Sequence, residues 1–363
     1  MYDYLVVGAG LWGATFAHCQ RQIGRSVLVI DKRTHTGGNC YTEDRDGVNV
    51  HVYGPHIFHC SDEFIWEFVN RFATFNSYVN RPKVSFDDRI YSFPINLMTL
   101  HQLWGVVTPE EARRKLDEVR VPCENPRNLE EWALSQVGQE IYDKFIYGYT
   151  KKQWMRDPST LPASIIKRLP IRLTYDDNYF NDRYQGIPIG GYTLMINGML
   201  DGCDVELGID FLADRNTWSR RARKVVFTGK IDEAFGYVYG ELEYRTLYFE
   251  NFSEVGDHQG NAVINYTSES VPYTRITEHK YFQPQQHVEQ TIWTREYPTP
   301  WTRTSIPYYP IGDEKNMMIY NRYRDLADAQ SDMIFGGRLA EYRYYDMHQV
   351  IGSALAAARR VCG

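Results

Sequence analysis

Residues 3–31 read DYLVVGAGLWGATFAHCQRQIGRSVLVID, and their order decides the fold. DYLVV is a short apolar strand, ATFAHCQRQIG carries helical spacing, and SVLVID is a second apolar strand, together a βαβ opening. Between the first strand and the helix stands Gly8-Ala9-Gly10-Leu11-Trp12-Gly13, a GxGxxG. Glycines there permit a tight turn and let the backbone approach a pyrophosphate seated on the helix N-terminus. Asp31 closes the second strand, where a carboxylate accepts from an adenosine ribose hydroxyl. The glycine motif alone is weak; strand, helix and terminal acid together are strong.

The pattern changes twice along the 363 residues. DEFIWEFVNRF, MTLHQLWGV, PEEARRKLDEV and NLEEWALSQVGQEIYDKFIYGY read as helices, with Thr108 before Pro109-Glu110 as an N-cap. Beyond residue 170, CDVELGIDF, RKVVFTG, LEYRTLYFE, NAVINYT, YTRITEHKYF and QTIWTREYP read as antiparallel strands with polar turns. The last segment is a strand, an irregular loop and a helix of small residues. The expected fold is α/β, a Rossmann-like nucleotide-binding domain with a helical insertion domain and an antiparallel β-sheet domain. Its expected boundaries are 1–78 with 200–240 and 310–363, then 79–160, then 161–199 with 241–309.

Composition narrows the function classes. Forty basic against 46 acidic side chains give a net charge of -6, against the basic stripe of a nucleic-acid binder. No segment approaches the roughly 20 apolar residues of a membrane helix. Cysteines 19, 40, 60, 123, 203 and 362 form no CxxC and read as reduced thiols of a cytoplasmic protein. Aromatic residues reach 15%, with 28 tyrosines clustered in polar stretches such as PYYP and YRYYDM. Packing and polar-tipped surface account for most of them, and a polar aromatic cleft accounts for the clusters.

Two stretches bear on ligands. Tyr149 and Trp154 stand five residues apart in GYTKKQW, ahead of Lys167 and Arg168. Flat rings suit a nucleobase and a guanidinium suits a phosphate. DKRTHTGGN continues from Asp31 through Lys32 and Arg33 to Gly37-Gly38-Asn39, and Gly336-Gly337-Arg338 precedes the last helix. This arrangement resembles the FAD-binding flavoproteins with two dinucleotide motifs. It implies FAD, with the second glycine pair near the flavin's ribityl and diphosphate portion.

Longer strings narrow the resemblance. YGPHIFH (53–59), GYTKKQW (148–154), LPASIIKRLPIR (161–172), DDNYFNDRYQGIPIGGYT (176–193), NAVINYT (261–267), VPYTRITEHKYF (271–282), PYYP (307–310) and GRLAEYRYYDM (337–347) together are similar to the bacterial UDP-galactopyranose mutase family, over essentially the whole chain. The resemblance implies interconversion of UDP-galactopyranose and UDP-galactofuranose without net redox. In it, N5 of reduced FAD attacks the galactose C1 and expels UDP, and the adduct opens as an iminium and recloses. It implies a uridine pocket of Phe145, Tyr149 and Trp154, with Arg168 and Arg275 on the diphosphate. Tyr179, Tyr309 and Tyr344 would add phosphate hydrogen bonds, and Asn80, Asn265 and Asp346 would line the sugar end.

His56 would lie beside the flavin, either as a proton carrier or through backbone contacts. The cofactor set it implies is Gly8, Gly10, Leu11, Trp12, Gly13, Asp31, Lys32, Arg33, Gly38, Asn39, His56, Arg338, Tyr344, Asp346 and Met347. A homodimer, a cellular reductant of the flavin and a supply of galactofuranose for surface polysaccharide are further implications. The sequence departs from the family at Ile146 and at Met155-Arg156. His51, His56 and His59 fit no familiar zinc spacing, so no metal is expected. On the flavin motifs alone an oxidase or dehydrogenase stays open, and so does a catalytically silent nucleotide-sugar binder.

Overall fold

The computed structural model describes residues 1–166, 169–283 and 288–361. A five-stranded parallel sheet runs Met333–Phe335, Ala222–Phe227, Tyr2–Val7, Val27–Asp31, Asp204–Leu207. Val6, Val29 and Val226 bury into one face with helices Leu11–Gln22 and Met347–Arg360. Leu5, Leu28, Ile30, Val225 and Phe227 bury into the other, against Phe211 and Met333. A sheet covered on both faces needs strands apolar at consecutive positions, as VLVI and VVF are.

That requirement corrects one expectation. CDVELGIDF and RKVVFTG do not form antiparallel strands; their cores, Asp204–Leu207 and Ala222–Phe227, join the parallel sheet. Asp204–Leu207 is an edge strand, so its alternation of polar and apolar residues imitates an antiparallel strand.

The second sheet has seven strands in the order Tyr309–Pro310, Tyr244–Val255, Gln290–Thr299, Arg275–Glu278, Val263–Tyr266, Lys83–Phe86, Arg89–Ser92. Its longest pair matches Thr246 to Thr299 through Val255 to Gln290. The hairpin 83–92 lies within the helix-rich stretch yet extends this sheet, through a parallel pairing of Asn265 with Val84.

Helices Leu97–Trp104, Pro109–Val119 and Leu129–Ile141 pack around a separate core containing Leu100, Leu116, Ala133 and Ile141. Thr108 accepts from Glu111 N–H while Glu111 reaches back to Thr108 N–H, a complete capping box. The third helix breaks at Gly138 (φ 74°, ψ 177°), where any Cβ would collide with the Val119 carbonyl. It continues as a wide π turn, Tyr142–Tyr147, and then as helix Gly148–Trp154. No helix among the described residues is long and apolar enough to cross a membrane. Cys19, Cys40, Cys60, Cys123 and Cys203 are free thiols.

Candidate active site

The two sheets and the helical unit enclose one cleft of about 1210 Å³. Its floor is the glycine turn. Gly8 has φ +113°, and a Cβ there would strike the Thr228 hydroxyl; one on Gly13 would strike the Gly8 carbonyl. Gly37 N–H donates to Ala9 O (2.8 Å), drawing the second glycine pair against the first until Gly10 and Gly38 face each other. A cradle that side chains would fill, under a helix N-terminus, fits a dinucleotide diphosphate.

Asp31 sits deeper than a bare ribose acceptor would. One carboxylate oxygen accepts from Ala9 N–H and the other from Arg33 N–H, both at 2.8 Å. Each oxygen keeps a second lone pair for a ligand hydroxyl. Lys32 is exposed at the rim, while Arg33 donates to Asn39 Oδ1 (2.8 Å) and lies over the Tyr53 ring. Its Nη1 is buried without a partner.

The C-terminal segment closes the same floor. Trp12, 3% exposed, stacks on Phe16 and donates to Ser353 Oγ (3.2 Å). Its indole occupies the space a Gly336 side chain would need, so that glycine is fixed by contact. Arg338 donates to the Tyr308 carbonyl. Leu11, Asp346 and Met347 also line the cleft, and Asp346 N-caps the last helix.

The histidines split into two groups. His56 N–H donates to His51 Nδ1 (3.1 Å), and His51 N–H donates to His279 Nδ1 (3.2 Å). His56 Nδ1 faces Gly54 O at 2.9 Å, so the proton sits on Nδ1 and Nε2 is the acceptor. Burial pulls the His56 pKa down to about 4 and that of His279 to about 3. His59 stands apart, stacked on Phe180 with Nδ1 2.6 Å from Asp182. It meets Asp346 and His348 in a group whose ligand atoms lie within 4.8 Å of one another. Sequence reading missed His348 and Asp182, which lie 289 and 123 residues from His59 in the chain.

The opposite wall carries the other ring and cation residues. Arg275 donates from Nη2 to Tyr149 OH at 3.2 Å, and its Nη1 lies 3.8 Å from buried Glu296. Burial opposes the Arg275 charge, but Glu296 and the neighbouring tyrosines hold it above the ordinary range. Asn265 pairs with Arg275 in register. Tyr309 and Tyr344 stack at 5.5 Å. Asn80 is buried, its carbonyl accepts from Tyr179 N–H (2.8 Å), and both residues line the cleft.

Phe145, Tyr149 and Trp154 line one end with Gln153, whose buried Oε1 has no partner. Gln153 sits one helical turn after Tyr149, a spacing legible in the sequence but easily passed over. Met155 (φ +51°) ends that helix, and Arg156 reaches Asp313 and Glu243 at 3.4 and 3.6 Å. Arg168 lies outside the described residues.

A family model described as UDP-galactopyranose mutase matches residues 144–344, and one described as an NAD(P)-binding Rossmann-like domain matches residues 6–72. A Klebsiella pneumoniae protein named "Probable UDP-galactopyranose mutase" is 45% identical, over 98% of this chain and 94% of its own. A dTDP-fucopyranose mutase of Escherichia coli is 42% identical, over 99% and 98%. A UDP-galactopyranose mutase of Mycoplasma pneumoniae is 31% identical, over 99% and 96%. Among solved structures, a reduced UDP-galactopyranose mutase superposes with a TM-score of 0.77 at 13% identity, covering 100% of this chain and 96% of that one. A fatty acid isomerase from P. acnes superposes at 0.63 with 11% identity, over 99% and 98%. The structural likenesses speak to fold alone.

Proposed function

The chain belongs to the UDP-galactopyranose mutase family, a family of isomerases, and on that premise we propose that it interconverts UDP-galactopyranose and UDP-galactofuranose with FAD bound in the cleft. The meeting of Tyr149 and Arg275, in the same cleft as the glycine turn, carries this reading. A ring face for uracil stands beside a guanidinium for the diphosphate. Stacking on such a ring contributes about 1–3 kcal/mol, and charge-assisted bonds to phosphate add orientation as well as energy.

The isomerisation exchanges the O5–C1 bond of the sugar for an O4–C1 bond and moves one proton from O4 to O5. No electrons are gained or lost. Reduced FAD, where bound, would supply a nucleophile for the anomeric carbon; Cys40, the one cysteine among the described lining residues, is buried with its thiol pushed up to about 11. In this reading the glycine turn, Gly38 and Asn39 hold the cofactor diphosphate. Arg338, Asp346 and Met347 close over the flavin end.

Arg275, joined by Arg168, stabilises UDP as it leaves with negative charge and keeps it near for return. Tyr179, Tyr309 and Tyr344 donate hydroxyls to the phosphates, while Asn80 and Asn265 orient the sugar. His56, with a pKa near 4, serves as a neutral wall rather than a proton carrier.

The relative named as a dTDP-fucopyranose mutase favours one second reading, the same ring exchange on a thymidine-linked 6-deoxy sugar. Chromatography of reactions with UDP-galactofuranose, and with dTDP-fucopyranose in parallel, decides between them. Each is run with oxidised flavin and again after dithionite. Conversion of UDP-galactofuranose to the pyranose only when reduced, with no flavin oxidised, is expected. Turnover of the dTDP sugar alone would move the assignment to the second reading. Flavin reoxidised in step with an oxidised product would overturn both.

A further inference from the structure

Lys152 shares the helix Gly148–Trp154 with Tyr149, but it is not a cleft residue. Its ammonium donates to four backbone carbonyls: Tyr266 O (2.8 Å), Ser268 O (2.8 Å), Val271 O (2.9 Å) and Tyr273 O (3.0 Å). An ammonium has three N–H groups, so four acceptors at these distances surround it as oxygens surround a bound monovalent cation. Carbonyl dipoles converging on one point repel one another unless a positive charge sits there. The turn 266–273 therefore holds its shape because Lys152 fills it.

That turn joins strands Val263–Tyr266 and Arg275–Glu278, which carry Asn265 and Arg275. The helix backbone lies directly on it: a Cβ on Gly148 would strike the Thr267 carbonyl, and Thr267 donates from its hydroxyl to Lys144 O. Lys151 adds an ion pair to Glu269 at 2.7 Å. Tyr149, one turn before this clamp's lysine on the same helix, and Arg275, two residues after the turn, meet at 3.2 Å.

We propose that Lys152 is a positioning residue for nucleotide binding: its ammonium, caged by four carbonyls, fixes the helix bearing Tyr149 against the strand bearing Arg275. The inference rests on the reading of Tyr149 and Arg275 as base and diphosphate contacts. Four converging carbonyls without their cation cannot keep the turn closed, and the base and phosphate contacts then lose their common register.

The test uses flavin-loaded wild type, Lys152→Met and Lys152→Ala, with UDP as probe and calorimetric titration as readout. Both variants should retain flavin but bind UDP about tenfold to hundredfold more weakly, the scale of leaving converging carbonyls unpaired. Propylammonium chloride should restore UDP affinity to Lys152→Ala, which leaves room for it, and not to Lys152→Met. Sodium chloride at equal ionic strength should restore neither. Wild-type affinity in both variants would overturn the inference, as would weakened affinity that propylammonium leaves unchanged. A wild-type protein indifferent to UDP would overturn the nucleotide reading itself, and this inference with it.

Discussion

Arg275 and Glu296 are register partners on adjacent antiparallel strands, and Glu296, 2% exposed, is the acid beneath the guanidinium in the cleft. The carboxylate holds the cation in place and partly neutralises it. Removing Glu296 therefore separates two effects. Glu296→Gln should lower unfolding stability by about 2 kcal/mol, less than for a fully buried pair because Arg275 keeps some access to the cleft. It should leave UDP bound at least as tightly, because the guanidinium charge is no longer offset. Thermal melts with and without UDP check both; a loss of UDP affinity would contradict the assignment.

Arg275→Ala and Arg168→Ala should each retain FAD and lose most turnover, with kcat/KM falling about a hundredfold or more. Arg275→Lys should recover little, since an ammonium cannot present the planar fork. Flavin absorbance with steady-state kinetics checks this. Near-normal rates in either alanine variant would remove that residue from the diphosphate site.

Gly13→Ala and Gly336→Ala place a methyl where the Gly8 carbonyl and the Trp12 indole already stand. Each should cost about 1–3 kcal/mol of stability as an overpacked site. Each should also purify with markedly less flavin, read from the ratio of visible to ultraviolet absorbance. Gly24→Ala, where nothing lies within reach of the added carbon, should keep its flavin, although its positive φ carries a local cost.

Acid should loosen the fold through histidines well above the carboxylate range. Burial lowers His56 from 6.5 to about 4 and His279 to about 3, and drives His51 down too. Between these values and 6.5 the unfolded chain binds more protons than the folded one. Stability therefore rises with pH across the window and falls on acidification. Melting temperature should drop from pH 7 towards about 4.5, and His279→Gln should flatten that slope. An unchanged slope in His279→Gln would mean that His279 contributes nothing to acid stability.

The local signals were the legible ones. The GxGxxG between strand and helix, the acid ending the second strand at residue 31 and the Thr108 N-cap all act within a few turns of chain, and each stands at the element boundary expected of it. The strand at 204–207 misled because an edge strand of a parallel sheet alternates as an antiparallel one does. The pairing of 83–85 with 264–266 had no sequence signal, because strand partners far apart are chosen by packing rather than pattern.

The site divides in the same way. Family strings pointed to the cleft-lining Tyr149, Arg275 and Tyr309, whereas the link from Asp182 to His59 and the carbonyl cage around Lys152 exist only once the chain is folded. A lysine in KKQW looks like any solvated charge until four carbonyls close on it.

Trp12 packed on Gly336 makes the first helix and the last loop parts of one wall. During synthesis the glycine turn leaves the ribosome more than 320 residues before its closing partner does. A nascent chain can build its first βαβ unit early, but the wall that Trp12 shares with Gly336 stays open until residue 336 is made. On the proposed reading, flavin capture would follow the closing of that wall, and a chain stalled before residue 336 would be partly folded yet colourless.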